Sequence, residues 1–144
     1  MKSETILLAT KVWQNILAEA QATTSAEPVM ESYLKSTITN HDNLGSALSF
    51  HLSQKLASTS FPAAMIRTIM DDTFKDPAIV DQAARDIQAT MDRDSACKLY
   101  SSPFLYFKGF LSIQAYRVAH QLWNQDRTSL ALLLQHRISM TFAV

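Results

Sequence analysis

Only two glycines, Gly45 and Gly109, occur in 144 residues, and this scarcity excludes more folds than any other feature of the chain. Tight β-hairpin turns draw on glycine at positive φ, and no stretch shows sustained strand alternation bounded by turn glycines. Glycine-rich phosphate loops and the dinucleotide fingerprint need several glycines at fixed spacing, so both are absent. What recurs instead is an apolar spacing of three and four, the period of a helix with one buried face.

The first such segment is "SETILLATKVWQNILAEAQ", with Ile6, Ala9, Val12 or Trp13, Ile16 and Leu17 on one side and Ser3 placed to cap it. "ATTSAEP" reads as the loop that ends it, and Pro28 suits the first turn of "PVMESYLKSTITN". After "NHDN", Asp42 or Asn43 can cap "LGSALSFHLSQKLAS", where Leu44, Leu48, Leu52 and Lys55 or Leu56 share a face. "TSFP" separates this from "AAMIRTIMDDTFK", with Met65 or Ile66, Ile69 and Phe74 turned inward. "DP" then opens "AIVDQAARDIQATMDRD", striped by Ile79, Ala83, Ile87 and Thr90. A break at "DSACKLYSSP" precedes a long aromatic helix, and "NQDRTS" divides that helix from "LALLLQHRISMTFAV". No internal repeat or low-complexity segment is present. The fold class is all-α, a single multi-helix domain over residues 1–144.

Lys plus Arg equals Asp plus Glu at 13 each, so no basic excess exists to attract a phosphate backbone, and nucleic acid is excluded as an expected partner. The same balance leaves little repulsion against self-association. No apolar run approaches the roughly 20 residues of a membrane span, and the N-terminal apolar patch is too short for a signal-peptide core. One cysteine, Cys97, cannot form an internal disulfide. A cytoplasmic location without membrane contact follows as an expectation. Leu7 and Leu8 on the first helix, and the apolar end "SMTFAV", are the two segments expected to seek a partner outside the domain.

Candidate chemistry is sparse. His41, His51, His120 and His136 include no pair at helical metal-ligand spacing, so no metal site is expected. No nucleophile elbow surrounds any serine or Cys97, which reads as a loop or half-buried thiol. In "FKGFLSIQAYRVAHQLW", Phe107, Leu111, Ala115, Val118 and Leu122 form a packing stripe that Phe110 and Trp123 widen. Lys108, Arg117 and Gln121 fall towards other faces, Gly109 permits a close helix approach or weakens the turn, and His120 reads as a core-border residue with one hydrogen bond. Asp86, Asp92 and Asp94 gather near one helix end beside Arg85 and Arg93, where carboxylates oppose the helix dipole. Two readings stand: a solvated, salt-bridged end, or a carboxylate placed to hold a cationic or hydroxyl group of a small ligand.

The blocks "NLGSALS", "DIQA", "LYFKGF" and "QAYR", in that order and spacing, resemble the N-terminal part of bacterial serine O-acetyltransferase from Val12 to Val144. The resemblance implies an N-terminal helical, oligomerising domain that precedes a left-handed β-helix of hexapeptide repeats. The catalytic histidines, the acetyl-CoA cleft and the C-terminal tail that docks onto O-acetylserine sulfhydrylase would lie beyond Val144, and this chain alone is expected to be inactive. In the family reaction a histidine base takes the serine hydroxyl proton as that oxygen attacks the acetyl-CoA thioester. A carboxylate of the helical domain binds L-serine, or the inhibitor L-cysteine, and by position in the "RD" motif after "DIQA" it matches Asp94.

The family often has proline after this aspartate, where this chain has Ser95, so a less rigid loop is expected. Asp92 takes the solvated reading. Assembly into a hexamer, a dimer of trimers joined by the N-terminal helices, is the family's other role for this domain. An autonomous helical protein-interaction module is the competing expectation.

Overall fold

The computed structural model describes residues 2–144, with side chains from residue 7 onward, so the expectations for Ser3 and the Ile6 side chain lie outside the described residues. Its elements are α1 (Lys2–Ala26), a 3-10 turn (Pro28–Met30), α2 (Glu31–Leu34), a π-helical turn (Lys35–Thr39), α3 (Leu44–Leu56), α4 (Ala63–Phe74), α5 (Pro77–Arg93), α6 (Ser101–Tyr106), α7 (Lys108–Asn124) and α8 (Thr128–Phe142). No strand occurs among the described residues, and the all-α reading holds.

Three helix pairings organise the bundle: α3 with α4, α7 with α8, and α1 with α5. Val12, Trp13, Ile16 and Ala20 of α1 meet Ala83, Ala84 and Ile87 of α5 in one continuous core that also takes Leu44, Leu48, Leu52 and Leu56 of α3. The fourth member of the α3 stripe is therefore Leu56, and Lys55 faces solvent. On α4 the buried face is Ile66, Met70 and Phe74, whereas Met65 stays 57% exposed. Truncating a fully enclosed leucine such as Leu48 removes contacts worth about 2–5 kcal/mol.

Local chemistry explains most ends. Asn43, extended at φ −157°, accepts from the Ser46 amide at 2.9 Å and caps α3. Asp76 caps α5 through the Ala78 amide, with Pro77 in its first turn. The last carbonyls of α3 are met from another helix: Arg137 on α8 donates Nε to the Leu56 carbonyl at 2.8 Å and Nη2 to that of Ala57 at 3.2 Å. Between α7 and α8, Asp126 sits at φ 60° and the Arg127 amide bonds the Leu122 carbonyl at 2.9 Å, a Schellman-type stop built without glycine.

Several expectations are corrected. α1 runs through "ATTSA" to Ala26, because no helix breaker precedes Pro28, which itself drives Glu27 out of helical geometry. The residues "SSP" that end the expected break "DSACKLYSSP" instead open α6, since Pro103 falls in its first turn where no intrahelical donor is needed. α7 begins only at Lys108, after Phe107 adopts an extended conformation. Trp123 is 48% exposed and does not widen the α7 stripe, whereas Phe110 is buried. A Cβ at Gly109 would meet nothing within 4 Å, so no helix approaches there. The close approach is at Gly45, where a Cβ would lie 2.6 Å from the Phe74 carbonyl oxygen.

Candidate functional site

The carboxylates of α5 part company in three dimensions. Asp86 faces α7, where its Oδ2 accepts from Gln114 Nε2 at 2.7 Å and from Arg117 Nη2 at 2.8 Å. Arg117 also donates Nε to Gln114 Oε1 at 3.2 Å and Nη1 to Gln82 Oε1 at 2.8 Å. Gln114 is fully buried, so this seam satisfies polar groups that water cannot reach. Asp92 is exposed and accepts from Gln88 Nε2 one turn back at 3.0 Å. The expected acidic gathering is thus dispersed: at 100° per residue, Asp86 and Asp92 leave the helix on different faces, and Asp94 lies past its last turn. Arg85 pairs with Asp81 at 2.7 Å, further from the helix end than expected.

Asp94 occupies the C-cap of α5, with its amide on the Thr90 carbonyl at 3.0 Å. Its Oδ1 accepts from the Ala96 amide at 3.0 Å and its carbonyl accepts from the Cys97 amide at 2.9 Å. These two bonds, an Asx-turn and a backbone turn, fix the path of the chain at Ser95. The carboxylate itself is exposed, and no side-chain cation among the described residues pairs with it. Two clefts among the described residues lie away from Asp94: one of about 640 Å³ sits among Trp13, Asn43, Gly45 and Phe74. A shallower one runs past Gln82, Arg117 and His120. A carboxylate on an open surface holds a small cation weakly by itself.

The rest of the loop is held from three sides. Cys97 is 7% exposed, with its thiol 3.5 Å from Met91 Sδ and from the Leu99 carbonyl. Burial pushes the Cys97 thiol above its ordinary range, and the Asp94 and Glu19 charges act in the same direction, so it is a packed thiol and not a nucleophile. Tyr100 donates its hydroxyl to Gln88 Oε1 at 3.0 Å. Glu19 on α1 accepts from the Tyr100 amide at 3.0 Å through Oε2 and from the Ser101 amide at 2.8 Å through Oε1. Hydrogen bonds to a charged acceptor contribute about 1.5–3 kcal/mol each, so this pair is the strongest tie of the loop to another helix.

The histidines serve packing. His51 is buried, stacks on Phe104 with centroids 5.3 Å apart, and donates Nε2–H to the Leu105 carbonyl at 3.0 Å. Burial lowers its pKa to about 4, so the ring is neutral at pH 7. His41 bridges Ser46 and the Ser36 carbonyl. His120 is exposed and stacks on Tyr116, not the hydrogen-bonded border residue expected from its stripe. No group of three metal-binding side chains occurs among the described residues, and no described helix is long and apolar enough to cross a membrane.

Two side chains that tie the helices around this loop escape sequence reasoning. Glu19 lies 81 residues before its partner Tyr100, and nothing local distinguishes it from a solvated helix glutamate. Arg117, expected on a face away from the packing stripe, points along the α5–α7 seam to Gln82 and Asp86.

Comparison with known proteins bears on this geometry. A family model described as the N-terminal part of serine acetyltransferase matches residues 12–115. The chain is 50% identical over 134 residues to serine acetyltransferase of Haemophilus influenzae, covering 92% of this chain and 50% of that protein. It is 48% identical over 134 residues to serine acetyltransferase of Escherichia coli, covering 92% of this chain and 49% of that protein. The chain therefore spans about half the length of the curated relatives it matches. A solved serine acetyltransferase in complex with CoA superposes at a TM-score of 0.92 with 49% identity over 94% of this chain and 58% of the other. One in complex with cysteine gives 0.91 with 49% identity over 94% and 56%. The soybean enzyme with serine gives 0.91 with 43% identity over 95% and 57%.

Proposed function

The chain belongs to the serine acetyltransferase family, through its N-terminal region, and on that premise we propose that residues 1–144 act as the helical domain of a serine O-acetyltransferase. Its tasks are assembly and the donation of one substrate-binding carboxylate, Asp94. A catalytic hexapeptide-repeat domain, which would bind acetyl-CoA and hold the histidine base, would belong to the half of the relatives that this chain does not span. The product would be O-acetyl-L-serine, a precursor in cysteine biosynthesis, and the cytoplasm the place of reaction.

One observation carries the reading: the Asp94 carboxylate, at the C-cap of α5, meets no side-chain cation among the described residues. Its backbone and one oxygen are fixed by the turn that follows, whereas Asp92 is tied only to the neutral Gln88 amide within the helix. A carboxylate so placed suits the ammonium of an amino acid, by a charge-assisted hydrogen bond. L-Serine and the inhibitor L-cysteine share that ammonium, so one contact serves both. Because Asp94 stands on an open surface, the remaining walls of the site must come from the catalytic domain, and the chain alone would be inactive. Leu7 on α1, 66% exposed, and Val29 past the other end of that helix, 88% exposed, are two apolar side chains by which the N-terminal helices would join trimers into a hexamer.

The second reading, an autonomous interaction module, draws on the outer face of α8, where Leu132 and Met140 are 55% and 66% exposed. Joining this chain at Val144 to the C-terminal half of the Haemophilus influenzae enzyme separates the two. Thiol release from acetyl-CoA that depends on L-serine supports the enzyme domain. A folded chimera without turnover contradicts it and favours the module. Mass measurement of the same chimera should show a hexamer, and Leu7→Glu with Val29→Glu should reduce it to trimers.

A further inference from the structure

We propose that Glu19 is a positioning residue: its carboxylate, reaching from α1, fixes the far end of the loop that starts at Asp94 and thereby sets where the Asp94 carboxylate stands. The inference rests on the reading of Asp94 as the substrate carboxylate. The near end of the loop is continuous with α5. Its far end is the first turn of α6, whose opening amides have no intrahelical acceptor. Both oxygens of Glu19 are spent on those amides, at 3.0 Å to Tyr100 and 2.8 Å to Ser101, and Glu19 is half-buried. Gln88, on the same helix as Asp94, holds the hydroxyl of Tyr100 at 3.0 Å. Residues 94–100 are therefore strung between α5 and a single carboxylate of α1.

Glu19→Gln tests this with little change of shape. The glutamine amide keeps one acceptor and turns an N–H₂ towards the second donor, which unseats one of the two bonds. In the 144-residue chain, amide hydrogen exchange at Tyr100, Ser101 and Cys97 should rise about tenfold or more, while Leu48 and Leu52 in α3 keep their protection and show the fold intact. In the chimera described above, KM for L-serine should rise about fivefold with kcat and KM for acetyl-CoA held within about a factor of two. Unchanged exchange at Tyr100 and Ser101 would overturn the clamp. Raised exchange with an unchanged KM for serine, in a chimera where Asp94→Asn does raise it, would overturn the positioning role. If Asp94→Asn itself leaves KM for serine unchanged, the site assignment falls, and the positioning role of Glu19 falls with it.

Discussion

Asp86, in the middle of α5, and Asp94, at its C-cap, are two carboxylates whose surroundings are opposite. Asp86 receives Gln114 and Arg117 on one oxygen and sits in a seam closed by α7. Asp94 receives only the amide of Ala96, two residues on, and looks out at solvent. The histidines repeat the contrast, with His51 enclosed against Phe104 and His120 on the surface beside Tyr116. A polar group whose partners are complete holds the fold; a group held in place with its charge unspent is available to a ligand.

The comparison can be broken by measuring each side. The largest expected effect is the pH response of the enclosed histidine. His51 has a folded pKa of about 4 against 6.5 in the unfolded chain, so the unfolded state binds more protons between those values. Its contribution is present above pH 6.5 and is lost as pH falls towards 4, about 3 kcal/mol in all. Urea unfolding across that window should show the slope in the parent chain, keep it in His120→Gln, and lose most of it in His51→Gln.

Asp86→Ala comes next, because it strands the donors of Gln114 and Arg117, and should cost about 2–3 kcal/mol. Asp94→Ala removes only an Asx-turn bond and should cost about 0.5–1 kcal/mol. Equal losses at the two positions would erase the distinction between them. The two glycines give a smaller test with opposite signs. Gly45→Ala drives a methyl against the Phe74 carbonyl and should destabilise by about 2 kcal/mol. Gly109→Ala meets open space in a helix and should stabilise by about 0.5–1 kcal/mol. Thermal unfolding of the pair is sufficient to read both signs.

Helices and their buried stripes were legible because they depend on neighbours within four residues: Leu44, Leu48, Leu52 and Leu56 declare their face without reference to the rest of the chain. The loop "ATTSAEP" misled because polar β-branched residues are only weakly unfavourable in a helix, and packing of α1 on α5 outweighs that preference. What the sequence could not display are the ties that span it. Glu19 reaches over 81 residues to Tyr100, and Arg137 reaches back 81 to the Leu56 carbonyl. Backbone acceptors and donors carry no residue type, so no pattern marks their distant partners. The order of motif blocks made Asp94 a candidate, and its lack of a side-chain cation appeared only in the folded chain.

The most direct measurement is the KM for L-serine of Asp94→Asn in the chimera with the Haemophilus influenzae catalytic half, beside Asp86→Asn as the enclosed counterpart. A lost charge-assisted contact of about 2 kcal/mol predicts a rise of about 30-fold for Asp94→Asn, with KM for acetyl-CoA unchanged and a parallel weakening of L-cysteine inhibition. An unchanged serine KM in a folded Asp94→Asn chimera, or an equal rise from Asp86→Asn, would contradict the account.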